Sequence, residues 1–190
     1  MTMKTALKIL AFTSALFLSA INSSAASTVV LTPSTTNINV GDSFTVDVIF
    51  SSALAGITSP DELLAFGFNA GATSQLALIG SSVASIFDDT SALLGLSAAG
   101  LAFPSISVDG STPDFVLASF TFQALTAGLA NFSVSTDLTD LNQGLFFAGL
   151  DDAIAINGSL DLTVAAVPVP AAVWLFLSGV GALRLHRKTR

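Results

Sequence analysis

The stretch SFTVDVIF (Ser43–Phe50) alternates without a break. Phe44, Val46, Val48 and Phe50 take one side of an extended chain, and Ser43, Thr45, Asp47 and Ile49 take the other. Successive side chains of a strand point to opposite faces, so a period of two predicts a half-buried β-strand. The same texture recurs outward from it. FVLASFTFQAL (Phe115–Leu125) aligns Val116, Ala118, Phe120, Phe122 and Ala124. NFSVST pairs Phe132 with Val134, NGSLDLTV aligns Leu160, Leu162 and Val164, and ELLAFGFNAG aligns Leu64, Phe66 and Phe68. Turn formers punctuate these runs at Gly41-Asp42, Asn69-Ala70-Gly71, Asp109-Gly110, Ala127-Gly128 and Asn157-Gly158. Many short strands at such intervals predict an all-β fold, a sandwich, jelly roll or barrel. SSVASIFDDTSALLGLSAAG (Ser81–Gly100) breaks the alternation and leaves room for a helical turn.

Composition bounds what such a domain can do. The chain has 190 residues, enough for one ordinary domain with short appendages. It is 52% hydrophobic and 10% charged, which excludes disorder through low hydrophobicity and leaves either a partly membrane-embedded protein or apolar targeting segments that raise the average. Cysteine is absent, so disulfides, thiolate metal sites and thiol catalysis are excluded. Charge is segregated. All six basic residues and His186 are terminal, whereas all thirteen acidic residues fall between Asp42 and Asp161. A body without a cation has nothing to meet phosphates, so nucleic acid is excluded as its partner.

The two ends account for the cations. Lys4 and Lys8 precede an apolar run, Ile9–Ile21, and then NSSAAS, with Ser24 and Ala26 at the −3 and −1 positions of a cleavage site before Ser27. A positive n-region, a short apolar h-region and small residues predict a secretory signal peptide over 1–26, an uncleaved membrane anchor being the alternative. At the other end, Ala171–Leu183 is uncharged, with Pro168 and Pro170 before it and Arg184 directly after it. Proline is tolerated in a helix's first turn, so Pro170 can start one. Such a helix is roughly 20 Å long against a hydrocarbon core of about 30 Å. Extension back to Val167 and snorkelling of Arg184 bring it close to a transmembrane helix, with Arg187, Lys188 and Arg190 held on the cytoplasmic side.

The terminal stretch VPVPAAVWLFLSGVGALRLHRK resembles the PEP-CTERM class of bacterial sorting signals, and most closely the variant known as VPLPA-CTERM. Val167, Pro168, Val169, Pro170 and Ala171 occupy the motif, Val169 standing where that variant has Leu; the Glu of the main class is absent. The resemblance implies recognition by an exosortase-type processing enzyme, removal of the tail and delivery to the cell surface. A plain C-terminal membrane anchor is the competing reading of the same residues. A second resemblance lies in the strands. VVLTPSTTNINVGDSFTVDVIF, LLAFGFNAG, LASFTFQALTAGLANFSVST and INGSLDLTV are similar to successive strands of cohesin-like domains, a likeness that does not extend across 71–107. It implies a nine-stranded jelly-roll β-sandwich over 27–164, related in shape to bacterial carbohydrate-binding modules, with the sorting signal over 165–190.

Catalysis finds few candidates. The body has no His, Cys or Lys, which removes the activated nucleophiles. Carboxylate pairs remain at Asp61-Glu62, Asp88-Asp89 and Asp151-Asp152, but neighbours on a strand point to opposite faces and do not converge on one substrate atom. No Tyr is present, and Trp174 belongs to the tail, so aromatic sugar platforms are scarce. Calcium takes six to eight oxygen ligands from loops. Asp137, Asp140 and Asn142, joined by Asp151 and Asp152, are the candidate ligands, against the alternative that these acids merely form a solvated surface. No other cofactor is expected. The residues thus lead to an exported, surface-sorted, non-enzymatic protein, structural or adhesive, in the envelope or alongside exopolysaccharide or another surface protein. The alternatives are a carbohydrate- or protein-binding module with a defined ligand and a permanently tail-anchored membrane protein.

Overall fold

The computed structural model describes residues 28–167. The expected signal segment, Ser27, motif residues Pro168–Ala171, the apolar stretch expected to be helical and the basic residues Arg184, Arg187, Lys188 and Arg190 lie outside the described residues; Val167 is inside them and exposed. Among the described residues no helix is long and apolar enough to cross a membrane.

The alternating runs become strands. In chain order the elements are β1 (Val29–Pro33), β2 (Ile38–Asn39), β3 (Ser43–Phe50), α1 (Ser52–Ala55), β4 (Asp61–Ala72), β5 (Leu76–Val83), β6 (Asp88–Asp89), α2 (Ser91–Leu94), β7 (Ala98–Val108), β8 (Phe115–Ala124), β9 (Gly128–Ser135), β10 (Gly144–Phe147) and β11 (Gly158–Ala165). They form a β-sandwich. One sheet runs β1-β3-β8-β5, and the other runs β2-β11-β9-β4-β7-β6, with β10 pairing along the first half of β4. β9 pairs with the second half of β4, and β2 lies parallel to the end of β11. Two strands have only two residues, which leaves nine of four residues or more among the described ones.

The core is a chain of phenylalanine rings. Phe44, Phe122, Phe132, Phe120, Phe68, Phe66, Phe87, Phe115, Phe50 and Phe147 touch in that order, with centroids 4.9 to 6.3 Å apart. That is the range in which tilted and edge-to-face pairs attract beyond their burial. The chain crosses between the sheets at Phe122–Phe132 (5.0 Å), Phe120–Phe132 (5.4 Å), Phe68–Phe120 (6.1 Å) and Phe50–Phe147 (6.3 Å). Rings contributed by alternate positions of both sheets therefore close the sandwich.

Three readings from the alternation need correction. Leu64 is exposed and Leu63 is buried, the reverse of the expected parity. The β4–β7 register jumps from Leu63↔Ile106 to Ala65↔Leu101, so Leu64 has no partner and a bulge switches the face. Val116 likewise leaves the core face. The β3–β8 register passes from Val48↔Ala118 to Ile49↔Val116, which turns Phe115 inward onto Phe50 and buries the bulged Leu117. Asn69-Ala70-Gly71 is strand, not turn, because these residues pair with Ser135, Val134 and Ser133 of β9. The helical turn expected within Ser81–Gly100 is α2, Ser91–Leu94.

Candidate functional site

On the outer face of the larger sheet, one register row crosses four strands: Phe146 of β10, Ala65 of β4, Leu101 of β7 and Asp88 of β6. The next row, Leu145, Phe66 and Gly100, faces the core. Small Ala65 between Phe146 and Leu101 leaves the outer row concave. α2 raises one wall through Leu93 and Leu94, and the 137–143 loop raises the other through Leu141 and Asn142. The resulting groove has a volume of about 320 Å³. Its side chains are left in water: Leu93 is 83% exposed, Leu141 87% and Leu101 45%. Together these side chains make the groove a candidate contact surface.

Both walls are tied down by carboxylates. Asp89 Oδ1 accepts the backbone N–H and the hydroxyl of Ser91, at 2.9 and 2.6 Å, which fixes the start of α2. The Ser91 hydroxyl oxygen in turn accepts the Ala99 N–H at 2.9 Å, clamping α2 to β7. In the loop, Asp137 Oδ1 accepts from the N–H and hydroxyl of Thr139 at 2.9 and 2.7 Å. Asp140 Oδ1 accepts from the N–H and side-chain amide of Asn142, both at 3.0 Å, and its Oδ2 accepts from Gln143 Nε2 at 3.0 Å. The buried Gln143 closes the loop by accepting the Asp137 N–H at 2.9 Å.

These bonds favour the ionised form. The Ser91 hydroxyl and then its N–H hold the Asp89 carboxyl below its ordinary value; Thr139 does the same for Asp137, and Gln143 followed by the Asn142 N–H for Asp140. Each carboxyl ionises more readily folded than unfolded. The turns therefore add stability above the ordinary carboxylate range and lose it as pH falls through their lowered values.

A second depression, of about 360 Å³, adjoins the groove and shares Leu141 and Phe146 with it. It carries Asp140, Asp151 and Asp152. The structure thus brings together three of the five residues expected for calcium. Asn142 lines the apolar groove instead, and Asp137 caps its own turn. Among the described residues no group of three or more His, Cys, Asp or Glu is gathered as a metal-binding set. Of the carboxylate doublets, Asp61 Oδ1 accepts the N–H groups of Glu62 (2.7 Å) and Gly149 (2.8 Å), joining β4 to the 148–153 loop. Asp151-Asp152 lies in that same loop and lines the depression, whereas Asp88-Asp89 forms β6 at the far end of the row from β10.

Sequence reasoning did not find the groove leucines. The signal was the presence of Leu141 among turn formers and of adjacent Leu93 and Leu94 in a short segment between strands, positions where polar residues suffice.

Thirteen carboxylates with no Lys, Arg or His among the described residues repel one another, and self-repulsion weakens a compact state. Salt shortens the Debye length from about 30 Å at 0.01 M to about 8 Å at 0.15 M. Sodium chloride is therefore expected to raise the melting temperature of the β-sandwich. Calcium at matched ionic strength should add no saturable increment. Thermal melts in the two salts check both statements, and a saturating calcium gain would establish the cation site.

No protein-family model and no curated protein matches this chain. Among solved structures it is similar to the cohesin module of a family 33 glycoside hydrolase from Clostridium perfringens, with 9% identity, a TM-score of 0.36, and 75% of this chain and 98% of that one covered. It is also similar to the seventh ScaB type I cohesin of Pseudobacteroides cellulosolvens, with 18% identity, a TM-score of 0.33, and coverage of 75% and 94%.

Proposed function

We propose that this chain is an exported, surface-sorted, non-enzymatic protein of the bacterial envelope or its exopolysaccharide matrix, structural or adhesive in role, acting by contact. The observation that carries this reading is the exposed apolar groove over the Phe146–Ala65–Leu101 row, on a domain whose sequence offers no His, Cys or Lys to activate a nucleophile. The terminal segments supply the itinerary: signal peptide, then Val167–Ala171 with the apolar helix and basic tail for an exosortase-type enzyme. A second reading, a binding module with a defined ligand, is favoured by the same groove. Leucines around a single half-buried aromatic, Phe146, suit a protein partner better than a sugar.

Processing tests the itinerary. Intact-mass analysis of surface material should show a chain beginning near Ser27 and lacking the basic tail. Replacing Pro168 and Pro170 by Ala should leave export intact and hold the protein in the membrane. Equal release of the parent and double variant would remove the sorting reading, and retention of both would establish the plain anchor.

A further inference from the structure

The groove and the acidic depression beside it differ in chemistry but share a ridge, Leu141 and Phe146. On one side stand Leu93, Leu94 and Leu101; on the other stand Asp140, Asp151 and Asp152. We infer that they form one two-part site for a partner protein segment in which two bulky apolar side chains sit next to a cluster of Lys or Arg. The inference rests on the reading that this domain acts by contact, and it names what is contacted.

Charge decides among the occupants. Asp88 follows Leu101 in the register row, on edge strand β6, and three further carboxylates line the neighbouring depression. Within 28–167 the sequence has no cation to neutralise them. An anionic lipid surface, an acidic polysaccharide or the body of a second copy would bring like charge against this face, which disfavours encounter and docking alike. A segment with apolar residues alone would fill the groove and leave the acids unanswered. Apolar side chains can desolvate against the leucines while Lys or Arg meet Asp140, Asp151 and Asp152 across the ridge. The Debye length at physiological ionic strength, about 8 Å, keeps that attraction local to this face. Charge then steers the segment, and leucine burial holds it.

The test uses the full chain as purified from cells and a fluorescent peptide with two leucines followed by three lysines. Two control peptides replace the lysines by glutamates or the leucines by serines. The Leu/Lys peptide should bind and both controls should bind at least about tenfold more weakly, the equivalent of one poorly buried leucine or one lost charge cluster. Raising sodium chloride should weaken the Leu/Lys complex. Leu93→Ser with Leu141→Ser should lower its affinity about tenfold, while Leu129→Ser, which is 78% exposed on β9, should change nothing. Both groove leucines point into water, so the fold should survive; should melting show otherwise, Asp151→Asn with Asp152→Asn gives the same test through the acidic half. No binding of the Leu/Lys peptide, equal binding of the Leu/Glu peptide, or binding indifferent to all of these substitutions would overturn the inference. Export and surface sorting would stand in that case, because processing of the two termini judges them; the groove's part in the proposed contacts would fall.

Discussion

Phe132→Ala should destabilise the domain by about 3–5 kcal/mol, a large share of the roughly 5–15 kcal/mol that a domain of this size possesses. Phe132 is fully buried on β9 and touches two rings of the opposite sheet, Phe122 at 5.0 Å and Phe120 at 5.4 Å. Removing it loses the transfer free energy of the ring, leaves a cavity, and cuts the phenylalanine chain where it joins β8 to β9. Relaxation cannot close that gap cheaply, since the neighbouring inward positions of the same strand, Ala130 and Val134, are already packed. The melting temperature should fall by roughly 10 °C or more. Phe103→Ala supplies the contrast. Phe103 is 87% exposed, and its loss should stay within about 0.5 kcal/mol. Equal effects of the two substitutions in urea unfolding would contradict a core built on the ring chain.

The fold was legible where the chain alternates unbroken. SFTVDVIF, NFSVST and GSLDLTV declare their faces locally, because parity along one strand is a property of that strand alone. It failed at Leu64 and Val116 because a bulge depends on how many residues the partner strand supplies opposite, and that count is not written next to the bulge. Asn69-Ala70-Gly71 failed for a related reason. Its turn chemistry is a local preference of modest size, and pairing with β9 outweighed it. The candidate site was less legible still. Its leucines come from α2, β7 and the 137–143 loop, segments far apart in the sequence, and each alone reads as an incidental apolar residue. What the sequence does present is the acidic half: Asp140, Asp151 and Asp152 stand out as carboxylates in loops, and the structure gathers them beside the groove.

Gly67→Ala should strike the site and the fold together. Gly67 lies in β4 opposite Ala99 of β7 and Gly144 of β10, at the place where the 137–143 loop crosses the strand. A methyl group there would stand inside contact distance of the Asn142 carbonyl oxygen and 2.9 Å from Leu96 Cδ1. The obstructing atom is backbone, held by the Asp140 turn and the buried Gln143, so it cannot swing aside as a flexible side chain would. Either β4 gives or the loop lifts, at a cost of roughly 1–3 kcal/mol. Lifting the loop carries Leu141 and Asn142 away from the Phe146–Ala65–Leu101 row, so the groove widens and the Leu/Lys peptide should bind more weakly. Gly71→Ala on the same strand isolates the cause. A methyl there meets only Ser133 Oγ, at 3.8 Å, and removing a glycine from a strand interior reduces the entropy lost on folding. That variant should be neutral or stabilised by about 0.5 kcal/mol, with peptide binding unchanged. Melting curves and peptide titrations of the two variants check the contrast. If Gly67→Ala melts and binds as Gly71→Ala does, the loop does not rest on β4, and the groove loses the wall on which Leu141 stands.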